Sequence, residues 1–395
     1  MRISFDVQPL LNRKTGIAYN ESFTINTLTE KYKENEYIFE FFALKKLKEK
    51  LALLKPYLKN NCSVNYSRLF SSGLYRMTRW FVPIPYKWFF GKKADVSHFF
   101  NYCLPPFVHG KTVLTVCDLV FREHPETVKF LTKISLNLHF RRSVNRADLI
   151  ITVSDFTKKQ LLSYYPELCN KRIEKVLIGV DTNFYKKQET DVVNKILSKY
   201  NIDGDYILYL GTIEPLKNLV RLIEAYAGVI KTDKDAPLLV IAGMKGWLYG
   251  NIFKTVKQLG MEKNVVFTEY IPDSDKPALL SGAKMFCFPS LYEGFGMPPL
   301  EAMACGTPVL TSNTSSLPEI CGDAAFYIDP FSVSEIEHGI RTLCHDEELR
   351  TELIKKGRER VKLFAWDVIA EQLYGLYEEL VNNKEDKKFI KEVRA

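Results

Sequence analysis

Short apolar runs alternate with longer amphipathic stretches along both halves of the chain. In the first half RISFDV (2–7), YIFEFF (37–42), VSHFF (96–100), TVLTVC (112–117) and DLIITV (148–153) read as buried strands. In the second half YILYL (206–210), PLLVIAG (237–243), VVFTEY (265–270), KMFCFP (284–289) and TPVLTS (307–312) read the same way. Runs apolar on both faces belong to parallel sheets covered by helices. The intervening patterns, such as NLVRLIEAYAGVIK (218–231), recur at helical spacing. Two successive strand–helix sets predict an α/β chain of two doubly wound, Rossmann-like domains. We place them at 1–185 and 186–365, followed by a closing stretch at helical spacing from 366. Ligands of such domains gather at the carboxyl ends of strands, and with two domains the natural site is the cleft between them.

Length and composition agree with two globular domains: 395 residues, 46% hydrophobic and 26% charged. The start, MRISFDVQPLLN, lacks the long apolar run of a signal peptide, and no stretch is apolar enough to span a bilayer. Eight scattered cysteines form neither a C-x-x-C pair nor a zinc-like spacing. Together these predict a cytoplasmic chain with reduced thiols.

Charge divides the halves. Residues 1–185 carry 29 Lys and Arg against 16 Asp and Glu, a balance of +13; residues 186–395 carry 26 against 31, a balance of −5. Something anionic is expected to meet the first half. Two segments within 44–93 suit an anionic membrane surface. Leu44, Leu47, Leu51, Leu54 and Leu58 recur at steps of three and four among six lysines, with Pro56 bending the last turn. RMTRWFVPIPYKWFFGKK (76–93) interleaves five basic residues with Trp80, Phe81, Tyr86, Trp88, Phe89 and Phe90. The same segments also fit a core-facing helix and a buried aromatic cluster. No nucleic-acid motif accompanies the charge, so no nucleic-acid partner is expected.

The chemistry concentrates in SLYEGFGMPPLEAMACGTPV (290–309), directly after the strand KMFCFP. Seven residues separate Glu293 from Glu301. Gly294 and Gly296 between them allow backbone N–H groups to turn toward a ligand. Pro299 suits the first turn of a helix and Gly306 its end. Free amides at a helix N-terminus favour phosphate, and carboxylates accept sugar hydroxyls, so the pair points to a sugar nucleotide. An acidic pair capping a helix is the plainer alternative. LGTIEPLKN (210–218) repeats the strand-end context: a strand ends at Gly211, and Lys217 is placed to meet a diphosphate as a point charge. A third strand–loop–helix passage, RISFDVQPLLNRKTGIAYN, contains Gly16.

These motifs resemble the family-four retaining glycosyltransferases of the GT-B fold, and within them the bacterial mannosyltransferase-like branch of surface-polysaccharide synthesis. TGI (15–17), CDLVFREHPE (117–126), ADLIITVSDFTKKQL (147–161), IGVDTNFY (178–185), LGTIEPLKNL (210–219), YIPDSDKPALLSGAKMFCFPSLYEGFGMPPLEAMACGTPV (270–309) and FAWDVIAEQLYGLY (364–377) fall in the family's order across nearly the whole chain. The resemblance implies a donor site. Glu301 binds ribose hydroxyls; Glu293 and the amides of Gly294, Phe295, Gly296 and Met297 hold the donor sugar and distal phosphate. Lys217 stabilises the diphosphate, Gly211 and Thr212 belong to the same loop, Tyr270 and Ile271 touch the base, and Gly16 approaches the phosphates. Lys217 and Glu293 are the implied catalytic pair, and the closing helix from 366 is implied to return toward the first domain. Two positions depart from the family: Thr212 stands where Arg is frequent, and Cys117-Asp118-Leu119 replaces a frequent His-Asp-Leu whose His contacts the sugar. His124 is not assumed to replace it.

The implied reaction moves a hexosyl group, first mannose from GDP-mannose, to a saccharide or lipid-linked acceptor, with no cofactor beyond the donor. No Asp-x-Asp motif stands at a suitable strand end, so no metal is expected. A sugar-nucleotide-binding partner subunit with little turnover is the alternative, and Cys117 favours it. A nicotinamide oxidoreductase lacks its G-x-G-x-x-G: residues 8–16 read QPLLNRKTG.

Overall fold

A computed structural model describes residues 1–11, 16–78 and 82–382. Thr15 of the TGI motif, Trp80 and Phe81 of the aromatic segment, and the charged tail from 383 lie outside the described residues. The chain forms two compact units. The first comprises 1–179 together with 366–395, the second 180–365. The division falls between Gly179 and Val180 rather than after 185.

The first unit is built on a parallel sheet of seven strands: β1 (Arg2–Asp6), β2 (Glu36–Phe42), β3 (Cys62–Ser67), β4 (Val96–Phe99), β5 (Lys111–Val116), β6 (Leu149–Thr152) and β7 (Ile173–Lys175). Their order across the sheet is β3-β2-β1-β4-β5-β6-β7. The central strands are buried on both faces, which is why they read as unbroken apolar runs. One face packs Phe5, Phe39 and Phe41 against the helix Gly16–Lys31 and against Ile369, Leu373 and Tyr377 of the closing helix Trp366–Asn382. The other face carries Phe42, Leu114, Phe121 and Phe140.

The second unit repeats the plan with six strands: β8 (Tyr206–Leu210), β9 (Leu238–Ala242), β10 (Val265–Glu269), β11 (Met285–Phe288), β12 (Val309–Ser312) and β13 (Ala325–Ile328). Their order is β10-β9-β8-β11-β12-β13, all parallel. The order reverses between β8 and β11, so the crevice for a ligand lies beyond the carboxyl ends of those two strands.

Two expectations need correction. The leucines of 44–58 do not form a free stripe. Leu44 precedes the helix Leu47–Leu54, while Leu47, Leu51 and Leu54 turn inward against the core. Burying those side chains is worth more than leaving them wet. Tyr86 and Phe90 are likewise core, and Phe89 packs onto them; Trp88 alone of that run's described aromatics stands well exposed. Those side chains pack on their own unit, while Leu53, Leu69, Met77, Val82 and Trp88 of the same segment stand exposed. No described helix is long and apolar enough to cross a membrane.

Candidate donor site

The second unit's switch point is built from two strand-end loops. β8 ends at Leu210, and Gly211 continues into the loop toward a short turn, Pro215–Lys217. A Cβ at Gly211 would stand 2.7 Å from the Tyr209 hydroxyl, so a side chain here would displace that ring end. That hydroxyl donates to the Thr212 carbonyl at 3.0 Å and fixes the turn. β11 ends at Phe288 and feeds the loop carrying Glu293. The Leu291 N–H donates to the Leu216 carbonyl at 2.9 Å and ties the two loops together.

Across this junction Lys217 Nζ lies 2.6 Å from Glu293 Oε1, each side chain 16% exposed. The ammonium also stands 5.6 Å from the centre of the Phe288 ring. Glu214 joins the cluster. Burial pushes its carboxyl above the usual range, nearby Lys217 opposes the rise and the Glu293 charge adds to it. One cation thus stands among two carboxylates in a partly dry setting, where charge interactions are strong.

The loop after Glu293 is held by residues the sequence reading missed. Ser315 Oγ accepts the Glu293 N–H at 3.1 Å. Ser316 Oγ lies 2.9 Å from the Glu293 carbonyl and 2.7 Å from the Phe295 carbonyl. The carbonyls are thereby committed, and among the described residues the amides of Phe295, Gly296 and Met297 donate to no protein acceptor. Gly296 adopts φ 113°, a conformation that needs glycine. The helix that follows, Met297–Ala304, has Pro298 and Pro299 in its first turn. Prolines carry no N–H, so Pro298 and Pro299 add none: the helix's first turn contributes the Met297 amide, and Phe295 and Gly296 contribute theirs from the loop. SNTSS continues from the end of β12, a position that places it at the switch point, although serine itself suits almost any loop.

Glu301 sits one turn into that helix. Burial raises its carboxyl above the usual range, with Lys276 and the Tyr185 hydroxyl holding it back. Tyr270 is exposed after β10, whereas Ile271 is buried and offers no side chain to a ligand. Gly294 lies in the same loop as Phe295. Lys217, Glu293 and the 294–297 backbone are therefore brought together, with Glu301 one helical turn further on.

Gly16, Cys117 and Asp118 belong to the first unit. Gly16 opens the helix Gly16–Lys31, and a Cβ there would meet nothing within 4 Å. Cys117 follows β5; burial, reinforced by the Asp118 charge, holds its thiol far above the ordinary range, so it stays protonated. Asp118 Oδ1 accepts the Val120 N–H at 3.0 Å. His124 pairs with Glu126 at 3.4 Å.

Two Rossmann-like units, one with a cation, carboxylates and free amides at its switch point, define a glycosyltransferase of the GT-B class. Comparison with known proteins agrees. Residues 192–360 match the family described as glycosyl transferases group 1, and the chain belongs to it. It is 32% identical over 291 residues to O-antigen chain mannosyltransferase B of Escherichia coli, spanning 72% of this chain and 74% of that one. It is 30% identical over 224 residues to serotype-specific mannosyltransferase WbdA of Escherichia coli, of which it spans 27%. Sucrose-phosphate synthase of Thermosynechococcus elongatus shares the fold, with a TM-score of 0.75 at 17% identity over 96% of this chain and 98% of that one.

Proposed function

We infer that the chain transfers a hexosyl group with retention, mannose from GDP-mannose being the first donor, to a saccharide or lipid-linked saccharide in surface-polysaccharide assembly. The observation that carries this reading is the Lys217–Glu293 pair beside the free amides of 295–297. The mannosyltransferase names of the relatives support the sugar, and the basic first half supports an anionic, lipid-diphosphate-linked acceptor at the cytoplasmic membrane face.

In this reading the bond from the sugar's anomeric carbon to the diphosphate breaks, and the acceptor oxygen bonds that carbon on the same face. The acceptor's proton passes to the departing diphosphate. Lys217 and the loop amides meet the negative charge that grows on the leaving group, as fixed dipoles and charge. Glu293 positions sugar hydroxyls, and Glu301 accepts hydrogen bonds from the ribose. These residues do the work without a divalent cation, so activity survives a chelator.

The test is a thermal-shift panel of GDP-, UDP- and dTDP-sugars, followed by transfer assays and anomer assignment by NMR. Stabilisation by GDP-mannose and an α-linked product support the reading. An inverted linkage, or preference for another nucleotide, overturns the corresponding part. Binding without transfer or hydrolysis over a panel of acceptors favours a partner subunit.

A further inference from the structure

The helix Phe130–Arg146 lies between β5 and β6 in the chain, after the short helix Val120–Glu123, and packs through Leu136, His139, Phe140, Ser143 and Val144. A surface helix with that inward face should be polar outside. This one is not. Phe130 is 74% exposed, Leu131 70% and Leu138 50%. At about 100° per residue these three fall within one sector, on the side away from the core.

The charges carried by the helix itself have one sign. Residues 129–146 contain no Asp or Glu, but carry Lys129, Lys133, Arg141, Arg142 and Arg146. Arg141 is paired with Glu167 at 2.7 Å, and Arg146 donates to the Leu104 carbonyl. Among the described residues Lys129, Lys133 and Arg142 form no ion pair, and Lys129 and Arg142 are exposed while Lys133 is half-buried. Solvent-facing Phe and Leu side chains bordered by cations match an interface of apolar acyl chains beneath anionic headgroups. Nucleic acid would answer the cations and leave the apolar stripe unused.

We propose that the outer face of the helix Phe130–Arg146 docks the protein on an anionic lipid surface. If the proposed transferase reading is right, docking brings the first unit to the surface that carries a lipid-linked acceptor; the docking itself does not depend on it.

The experiment is co-sedimentation of the full chain with phosphatidylglycerol-containing vesicles and with pure phosphatidylcholine vesicles, at low and high salt and without donor. Binding to the anionic vesicles that weakens with salt is expected. The Phe130→Ser/Leu131→Ser variant should partition about tenfold less, and Lys133→Glu/Arg142→Glu should lose the salt-sensitive part. Leu44→Ser should bind normally. Circular dichroism and sedimentation velocity show that each variant is folded. No binding to anionic vesicles at low salt overturns the proposal. So does binding unchanged in the helix variants, which would put the contact elsewhere. A concentration-dependent dimer that Phe130→Ser/Leu131→Ser abolishes also overturns it, because a second copy would then be the occupant. Loss of transfer with vesicle binding intact counts against the transferase reading alone.

Discussion

Lys217 and Glu293 are 76 residues apart in the chain, yet Nζ and Oε1 stand 2.6 Å from each other where the strand order of the second unit reverses. Neither residue is notable alone. Their meeting turns two strand-end loops into one binding surface, and it constrains what either substitution does.

Lys217→Ala should lower kcat/KM by about 10²–10³, the size of effect expected when one fixed charge facing the leaving group is lost. Glu293→Gln should cost a comparable factor. Because each partner orients the other, the double variant should lose less than the product of the two. Steady-state kinetics with the cognate donor checks this; near-wild-type rates in both single variants contradict the assignment.

Gly296→Ala forces an alanine to φ 113° and sets a Cβ 2.8 Å from Leu317 Cδ2. The side-chain end can shift, but the backbone strain remains, about 1–3 kcal/mol. Urea denaturation should show that loss. Donor affinity should fall as well, because the amides of Phe295, Gly296 and Met297 would turn. Unchanged affinity measured by calorimetry would separate the loop from donor binding.

Glu40 lies buried in β2, in register with Asp6 of β1. Burial pushes its carboxyl up to about 8, with the Asp6 charge adding to the rise. The folded state therefore holds a proton that the unfolded chain releases near pH 4 to 5. The stability this proton provides is complete below that range and is lost as pH rises through about 8. Glu40→Gln, which keeps the shape without the ionisation, should flatten the decline in Tm between about pH 4.5 and 8. A parallel decline in wild type and variant would refute the linkage.

Cys169 is exposed, whereas Cys287 is fully buried, and burial also holds the Cys117 thiol protonated. Alkylation follows the thiolate and its access. Mass spectrometry after brief iodoacetamide treatment near pH 8 should find Cys169 modified before Cys117 or Cys287, and all three modified in denaturant. Early labelling of Cys117 would show a more open environment at the end of β5.

The strands that sit inside each sheet were legible because burial on both faces leaves an unbroken apolar run, as in YILYL and KMFCFP. Of the edge strands, β10 was legible as VVFTEY, but β3, β7 and β13 were not, since an edge pairs on one side only and CSVNYS needs no such run. The donor loops stood out through Gly211, Lys217, Glu293 and Gly296, whose types are restricted by turn geometry or charge. Ser315 and Ser316 did not, because their role is to hold another loop's carbonyls, and serine suits almost any loop. The leucines of 44–58 misled for a related reason: helical spacing shows that a face is apolar, not which neighbour covers it. The outward stripe of Phe130, Leu131 and Leu138 stayed hidden until the inward face of its helix was known.

The closing helix Trp366–Asn382 completes a core begun by β1, and Tyr377 reaches His98 in β4. The polypeptide leaves that core at Gly179 and rejoins it at Trp366. On the ribosome the middle portion is a contiguous stretch that is free to mature as soon as it emerges. The opening portion must wait, with Phe5 and Phe100 incompletely covered, until the last helix arrives. Premature termination ahead of Trp366 would therefore injure the half synthesised first.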